Sequence, residues 1–334
     1  MGRLLLYIWS MVLLVASITP ILLDDYWLIE VLGQIRWHVT ALVGVTALAL
    51  LLCRHFYHGA LMTCLVIANM AWIYSAFPPH IALDDAEDTS IAITSEATRV
   101  VSHNIWKKNS NKSATAMMLH DVSPDLLLLI ETGWREFDIF YDILEPIFPY
   151  HSVKQGGLPV GIALLSRYPM HSKWVRYKGE YDQLVMLHAV VDMDQPVHVL
   201  GLHMRSPRNL DRLRGRNEQL DFLYEYIASE IGIDVPLMVM GDFNSVFWRP
   251  EMRRFAELGL RRADDNPWFT GNTWPASMRP PMMLAIDHIF YNDHLCAGAS
   301  LDFPQKRHYS DHRPVGAELF LCDREKAATQ NQSP

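Results

Sequence analysis

The chain has 334 residues, of which 50% are hydrophobic and 20% charged, and its formal net charge is −8. Such a chain is not disordered, and its acidic balance gives no general attraction to nucleic acid, so any phosphate chemistry must come from a local site. Four cysteines, none in a CxxC pair, exclude a disulfide framework and a Cys-rich zinc module.

Apolar character is concentrated at the amino terminus. Leu4 to Leu23 is a run of twenty residues without a charge, long enough for a helix to cross the about 30 Å of a bilayer core. Two further runs, 39–53 and 60–77, are separated by Arg54, His55, Phe56, Tyr57, His58 and Gly59 and form a helical hairpin. Residues 1–77 are therefore expected to be a membrane domain with three transmembrane helices, 4–23, 39–53 and 60–77. A cleaved signal peptide is the alternative for the first run, and a pair of buried soluble helices for the other two. Arg3 and Arg54 favour the cytoplasmic side for their loops, Arg36 argues mildly the other way, and Asp84, Asp85, Glu87 and Asp88 follow the third span. The expectation is an integral protein of a bacterial inner or plasma membrane, with everything after Phe77 on the periplasmic side.

Residues 78–98 lack periodicity and are expected to be a linker. From 99 to 322 the pattern becomes short apolar runs between helical stretches. RVVSHNIW, LLLLIETGW, VGIALLSRY, LVMLHAVVDM, VHVLGLHM, LMVMGDFN, AIDHIFY and VGAELFLC have the length and composition of strands. Ala114 to His120 and Asn209 to Glu230 carry helical spacing; in the latter Leu210, Leu213, Leu220, Leu223 and Ile227 form an apolar stripe, with the arginines expected to face away. The fold class is α+β, and the tail 323–334 is polar and expected to be loose.

Polar residues stand where these strands stop. Asn104 ends VVSHN, Glu131 ends LLLLIE, His203 ends VLGLH, Asp242 and Asn244 end LMVMGDFN, Asp287 sits in AIDHIF, and Asp311 and His312 follow in YSDHRP. A carboxylate after four leucines and an isoleucine is costly to bury unless it meets a cation or a donor. Singly, each has an ordinary explanation as a cap or an Asx turn. Together they point to one site, and hard oxygen ligands without clustered Cys or His suit magnesium or manganese better than zinc.

This ordered set resembles the endonuclease/exonuclease/phosphatase superfamily, which includes DNase I-like nucleases, abasic-site endonucleases, neutral sphingomyelinases and inositol-polyphosphate phosphatases. The resemblance rests on SHN at 102–104, the strand ending in Glu131, GLHMRSP at 201–207, GDFN at 241–244, IDHIF at 286–290 and SDHRPV at 310–315. It covers about 99–322 and departs at Ile130, where many members carry Gln, and at Arg205, an extra cation. It implies a four-layer α/β/β/α sandwich. It also implies metal ligands Asn104, Glu131 and Asp311 for Mg2+ or Mn2+, and catalytic His203, Asp242, Asn244, Asp287 and His312. In that scheme Asp242 orients or deprotonates the attacking water, Asn244 fixes it, and His203 donates to the phosphate. His312, paired with Asp287, is either a general base or a transition-state donor.

The expected activity is metal-dependent hydrolysis of a phosphodiester by direct water attack. From Arg99 to Cys322 there are 24 Lys and Arg against 27 Asp and Glu, which is not the field of a strong duplex binder. The substrate is left open between nucleic acid, with Trp248, Trp268 and Trp274 stacking on bases, and a phospholipid headgroup or inositol phosphate, with the same tryptophans at the interface. A catalytically silent phosphate-binding module is a further alternative, and nothing identifies a protein partner. Cys296 and Cys322 form a bridge if they meet.

Overall fold

The computed structural model describes residues 2–23, 26–76, 92–153, 161–181, 183–263, 272–280, 282–304 and 309–323. Most of the expected linker, the tail after Asp323 and Trp268 lie outside the described residues. Four helices come first: α1 (Gly2–Leu22), α2 (Trp27–Gln34), α3 (Arg36–Leu52) and α4 (Phe56–Tyr74). Leu13, Val39, Val43, Ala47, Leu50, Met62 and Leu65 pack between α1, α3 and α4, while Leu4, Leu5, Ile8, Val45, Leu48 and Ile67 point outward and stay exposed. Leu4–Leu22 and α4 are each long and apolar enough to cross a membrane, and α2 with α3, bent by 70° at their junction, would be a third crossing if counted as one span.

The short helix α2 is a feature that the sequence pattern did not reveal. Arg36, expected in a loop, begins α3 and is buried, donating to Asn69 Oδ1 at 2.6 Å and to the Ser17 carbonyl at 3.1 Å. A buried cation at this end of the bundle is thus satisfied by polar groups of two neighbouring helices.

The remainder holds two mixed sheets. The first has the order β1 (Ala92–Ile93), β13 (Val315–Asp323), β2 (Thr98–Asn104), β3 (Leu126–Ile130), β5 (Ile162–Ser166) and β4 (Tyr150–Val153), with β12 (Leu295–Ser300) also on β13. The second runs β10 (Arg261–Arg262), β11 (Asp287–Tyr291), β9 (Leu237–Asp242), β8 (Pro196–His203), β7 (Gln183–Asp192) and β6 (Met170–Lys178). Both faces of the central strands are covered, which is why β3 and β9 are continuous apolar runs rather than alternating ones. Leu126, Leu128 and Ile130 meet Val199, Met238, Met240 and Ile289 between the sheets. Outside, α5 (Lys112–Val122) and α6 (Trp134–Leu144) cover the first sheet through Leu119, Phe140 and Leu144. On the second sheet, α7 (Leu210–Tyr226), continued by a π turn at Ile227–Ile231, and α8 (Pro250–Glu257) do the same through Leu220, Leu223 and Phe255. Cys296 and Cys322 are joined as a disulfide between β12 and β13.

Two parallel pairs decide where chemistry can gather. β2 runs beside β3 and β8 beside β9, and each pair ends at the same edge of the sandwich. His203 lies in register with Asp242, and Asp242 with Asp287 on β11. The glycine of GDFN permits this: Gly241 has φ 152°, and a Cβ there would stand 2.0 Å from the Leu202 carbonyl oxygen. Gly241→Ala is therefore expected to force β8 and β9 apart at the edge and cost more than about 2 kcal/mol. Thermal unfolding of the purified variant checks this, and an unchanged Tm contradicts it.

Candidate active site

The carboxylate of Asp242 is the centre of the cluster. It is 1% exposed. Its Oδ1 accepts the Asn244 backbone N–H at 2.9 Å, and its Oδ2 accepts Asn104 Nδ2 at 3.1 Å. The same Oδ2 lies 3.5 Å from His203 Nε2 and 3.8 Å from His312 Nε2. Burial, then the nearby charge of Asp287, push the Asp242 carboxyl up to about 7.

His312 donates through Nδ1 to Asp287 Oδ2 at 2.8 Å. Burial pulls an imidazole down, but the facing carboxylates of Asp287 and Asp242 outweigh it and push His312 up to about 10. Burial raises Asp287, yet His312 outweighs that and its carboxyl ends below the ordinary range. The pair is thus an imidazolium and a carboxylate at neutral pH. His203 is the opposite case: burial, helped by the charge of His312, lowers it to about 4, so it is neutral. Two histidines beside one carboxylate therefore hold different protonation states, set by their neighbours.

Glu131 follows β3 directly, at φ 63°, and Asn244 sits at φ 50°. Left-handed backbone at a residue with a side chain costs about 1 kcal/mol or more and needs local partners to hold it. Glu131 has them: Oε1 accepts Asn104 Nδ2 at 3.2 Å, and Oε2 accepts the Lys107 N–H at 2.9 Å. Asn244 donates its side-chain amide to the Met204 carbonyl at 3.0 Å, beside His203. Asn104 is fixed in turn, its Oδ1 accepting the Trp106 N–H at 3.0 Å. Ser310 ties the last loop to the first strand, donating to the Asn104 carbonyl at 2.7 Å and accepting the His312 N–H at 3.0 Å.

Asp311 is raised by burial and by the charge of Glu131, with Trp274 hydrogen-bonded to its carboxylate. Its Oδ1 is buried without a hydrogen-bond partner among the described residues. Asp242, Asp287 and His312 also offer ligand atoms within 4.8 Å of one another, all three buried. In that trio, however, His312 and Asp287 are already engaged with each other through a proton. The residues expected from the strand ends thus lie around one place: Asn104 touches both Glu131 and Asp242, and Asp242 is approached by His203, His312 and Asn244.

Sequence reasoning missed the residues behind this cluster. Arg216, expected among the solvent-facing arginines of α7, is fully buried, and so is Arg249. Both bind Glu30 of α2, Arg216 Nη1 to Oε1 at 2.7 Å and Arg249 Nη2 to Oε2 at 2.7 Å, while Arg216 Nη2 reaches Glu251 at 2.6 Å. Arg216 Nη1 also donates to the Asn244 carbonyl at 3.2 Å. Gln34 Oε1 accepts the Val246 N–H at 3.0 Å, and Trp248 donates to the Gly33 carbonyl at 2.9 Å. A signal existed, because residue 216 falls on the 213–220–223 stripe at helical spacing. Trp248 is buried in this seam, edge-on to Phe247, whereas Trp274 is 38% exposed.

Residues 101–312 match the model of the Endonuclease/Exonuclease/phosphatase family. Over 169 residues the chain is 29% identical to the uncharacterized protein YbhP of Escherichia coli K12, an alignment covering 48% of this chain and 63% of that protein. The chain thus spans less than two thirds of the length of that relative. An endonuclease/exonuclease/phosphatase from Beutenbergia cavernae superposes with a TM-score of 0.57 at 19% identity, over 68% of this chain and 72% of that one. The human Nocturnin catalytic domain with bound sulfate superposes at 0.52 and 19% identity, over 69% of this chain and 97% of that one. With its two mixed sheets and the family match running from β2 to His312, the chain belongs to the endonuclease/exonuclease/phosphatase family.

Proposed function

We propose that the protein is a membrane-anchored, divalent-cation-dependent phosphodiesterase that hydrolyses its substrate by direct attack of water. The observation that carries this is the buried Asp242 carboxyl, held at about 7, with a neutral His203 and a cationic His312 on either side of it. A base poised near neutrality takes a proton from water efficiently. His312, paired with Asp287, is read as a donor to the phosphoryl oxygens as charge builds on them rather than as a base, a reading its raised affinity for the proton supports. Neutral His203 donates to the phosphate or the leaving oxygen, and Asn244 orients the water beside Asp242.

Magnesium or manganese would be held by Glu131, Asn104 and Asp311. The carboxylates of Glu131 and Asp311 fit a hard cation, as does Asn104 Oδ1 through the lone pair left beside the Trp106 N–H, and Asp311 Oδ1 is a buried acceptor without a hydrogen-bond partner among the described residues. When bound, the cation polarises a phosphoryl oxygen and offsets transition-state charge.

Arg3 and Arg54 on one side of the apolar helices and the Cys296–Cys322 bridge in the catalytic part support an extracytoplasmic site. Incubation of the full chain with bis-p-nitrophenyl phosphate tests the assignment. Hydrolysis is expected with Mg2+ or Mn2+, to be lost with a chelator and to return on adding the ion. Equal inertness of wild type and Asp242→Ala under all three conditions would refute it.

A further inference from the structure

The amino-terminal helices do not merely precede the catalytic part; they are seated on its catalytic edge. α2 touches both loops that leave the parallel pair β8 and β9. Trp27 donates to the Pro207 carbonyl at 2.7 Å, four residues after His203, and Gln34 and Gly33 hold Val246 and Trp248, just after Asn244. Arg249 donates to the Pro20 carbonyl of α1 at 3.0 Å, and Trp72 of α4 donates to the Trp248 carbonyl at 3.2 Å. Ile73 and Trp37 pack with Val246, Trp248, Leu284 and Ile286 immediately before Asp287. Every one of these contacts lies at the same end of the bundle and the same edge of the sandwich.

The helix between them has two faces. Glu30, Gly33 and Gln34 are buried toward the catalytic loops, while Leu28 is 68% and Val31 39% exposed. With α2 turned 70° from α3, its long axis lies close to the bilayer plane when α3 spans. An interfacial helix with apolar residues on one side is the expected occupant of that position. The Asn244 carbonyl, which α2 reaches through Gln34, then stands about one helix diameter, about 10 Å, from the interface.

On the site's other rim, two loops flanking Asp311 carry exposed apolar side chains: Trp274, Met278 and Met282 on one, Tyr309 on the other. The loop of Trp274 is tied through Leu284 to the same seam with the helices. Exposed Lys107, whose N–H holds Glu131, adds positive charge at the site, which attracts anionic headgroups.

We propose that the substrate is the phosphodiester of a membrane lipid, taken from the bilayer surface against which the catalytic edge is held. The proposal rests on the phosphodiesterase assignment above and adds the source of the ester. One P–O bond to the lipid or headgroup alcohol breaks, water oxygen forms the new bond to phosphorus, and its proton leaves with the alcohol. Nucleic acid fits less well: the catalytic edge is occupied by helices, and Trp248, a candidate base-stacking platform, is buried among them.

The test uses the full chain with Mg2+ in non-ionic detergent micelles holding phosphatidylglycerol and phosphatidylethanolamine. In parallel it is given bis-p-nitrophenyl phosphate and a single-stranded oligonucleotide. Lipid hydrolysis is expected to exceed oligonucleotide cleavage by about a hundredfold in kcat/KM, and to follow the mole fraction of lipid in the micelle rather than its bulk concentration. Replacing the exposed methionines, M278S with M282S, is expected to lower the lipid rate several-fold while leaving the soluble ester untouched. Cleavage of the soluble ester and the oligonucleotide without lipid hydrolysis overturns the lipid proposal and leaves the phosphodiesterase standing. Failure on all three substrates removes the phosphodiesterase assignment, and the lipid proposal with it.

Discussion

Asp242→Asn is expected to lower kcat by roughly 10³-fold while moving Tm by no more than about 5 °C. The side chain is 1% exposed, so an amide of the same shape fits the space. Removing a buried charge relieves a cost, and disturbing the contacts with Asn104 and His203 reintroduces one of similar size. What the amide cannot do is accept a proton. The pH profile carries the same information with a definite sign. In the wild type, kcat/KM is expected to rise as Asp242 loses its proton, through about 7, and to fall as His312 loses its own, through about 10. The two limbs belong to the coupled group of Asp242, Asp287 and His312. A cation near Asp242 moves the acid limb downward, never upward, because positive charge favours the carboxylate. In Asp242→Asn the residual activity should lose the acid limb. Retention of kcat within tenfold, with the limb intact, would remove Asp242 from the role of base.

The parts of this site that were legible in the sequence share one physical cause. Asn104, Glu131, His203, Asp242 and Asp287 stand at or next to the ends of strands, where an apolar run must stop if a polar group is to avoid burial without partners. Parallel pairing brings the ends of β8 and β9, with His203 and Asp242, to one edge, and antiparallel β11 starts there with Asp287. Strands without that contrast were not legible. β6, MHSKWVRYK, keeps no residue fully buried, so it shows no apolar face to detect. β10 has two residues and β4 four, too few for any period to register. Helix α2 was hidden differently: WLIEVLGQ is apolar apart from Glu30, Gly33 and Gln34, but at eight residues it is barely two turns, too short for a helical period to stand out between the longer apolar runs. The meaning of its glutamate depends on two arginines 186 and 219 positions away, and no local pattern holds that distance.

Those arginines set the second large effect. Glu30→Ala is expected to destabilise the seam between helices and catalytic part by about 3–5 kcal/mol, because it leaves two buried guanidinium groups facing one another with too little compensating charge. Arg216 and Arg249 would share Glu251 alone, at 2.6 and 3.5 Å. The Asn244 turn hangs on the same group: Arg216 Nη1 bridges Glu30 Oε1 and the Asn244 carbonyl, so a shift of the guanidinium displaces a residue at φ 50° that has few conformations open to it. A fall in kcat of about tenfold is therefore expected together with the loss in Tm, since misplacement by about 1 Å is enough to slow a positioned reaction. Charge balance makes the explanation testable apart from mere packing. Glu30→Ala combined with Arg249→Met keeps one arginine, Arg216, against one carboxylate, Glu251, and should recover most of both losses relative to Glu30→Ala alone. Thermal unfolding and steady-state rates on bis-p-nitrophenyl phosphate measure the two quantities in the same preparations. If the double variant is worse than Glu30→Ala in both, the seam is held by shape rather than by charge, and Glu30 does not position the Asn244 turn.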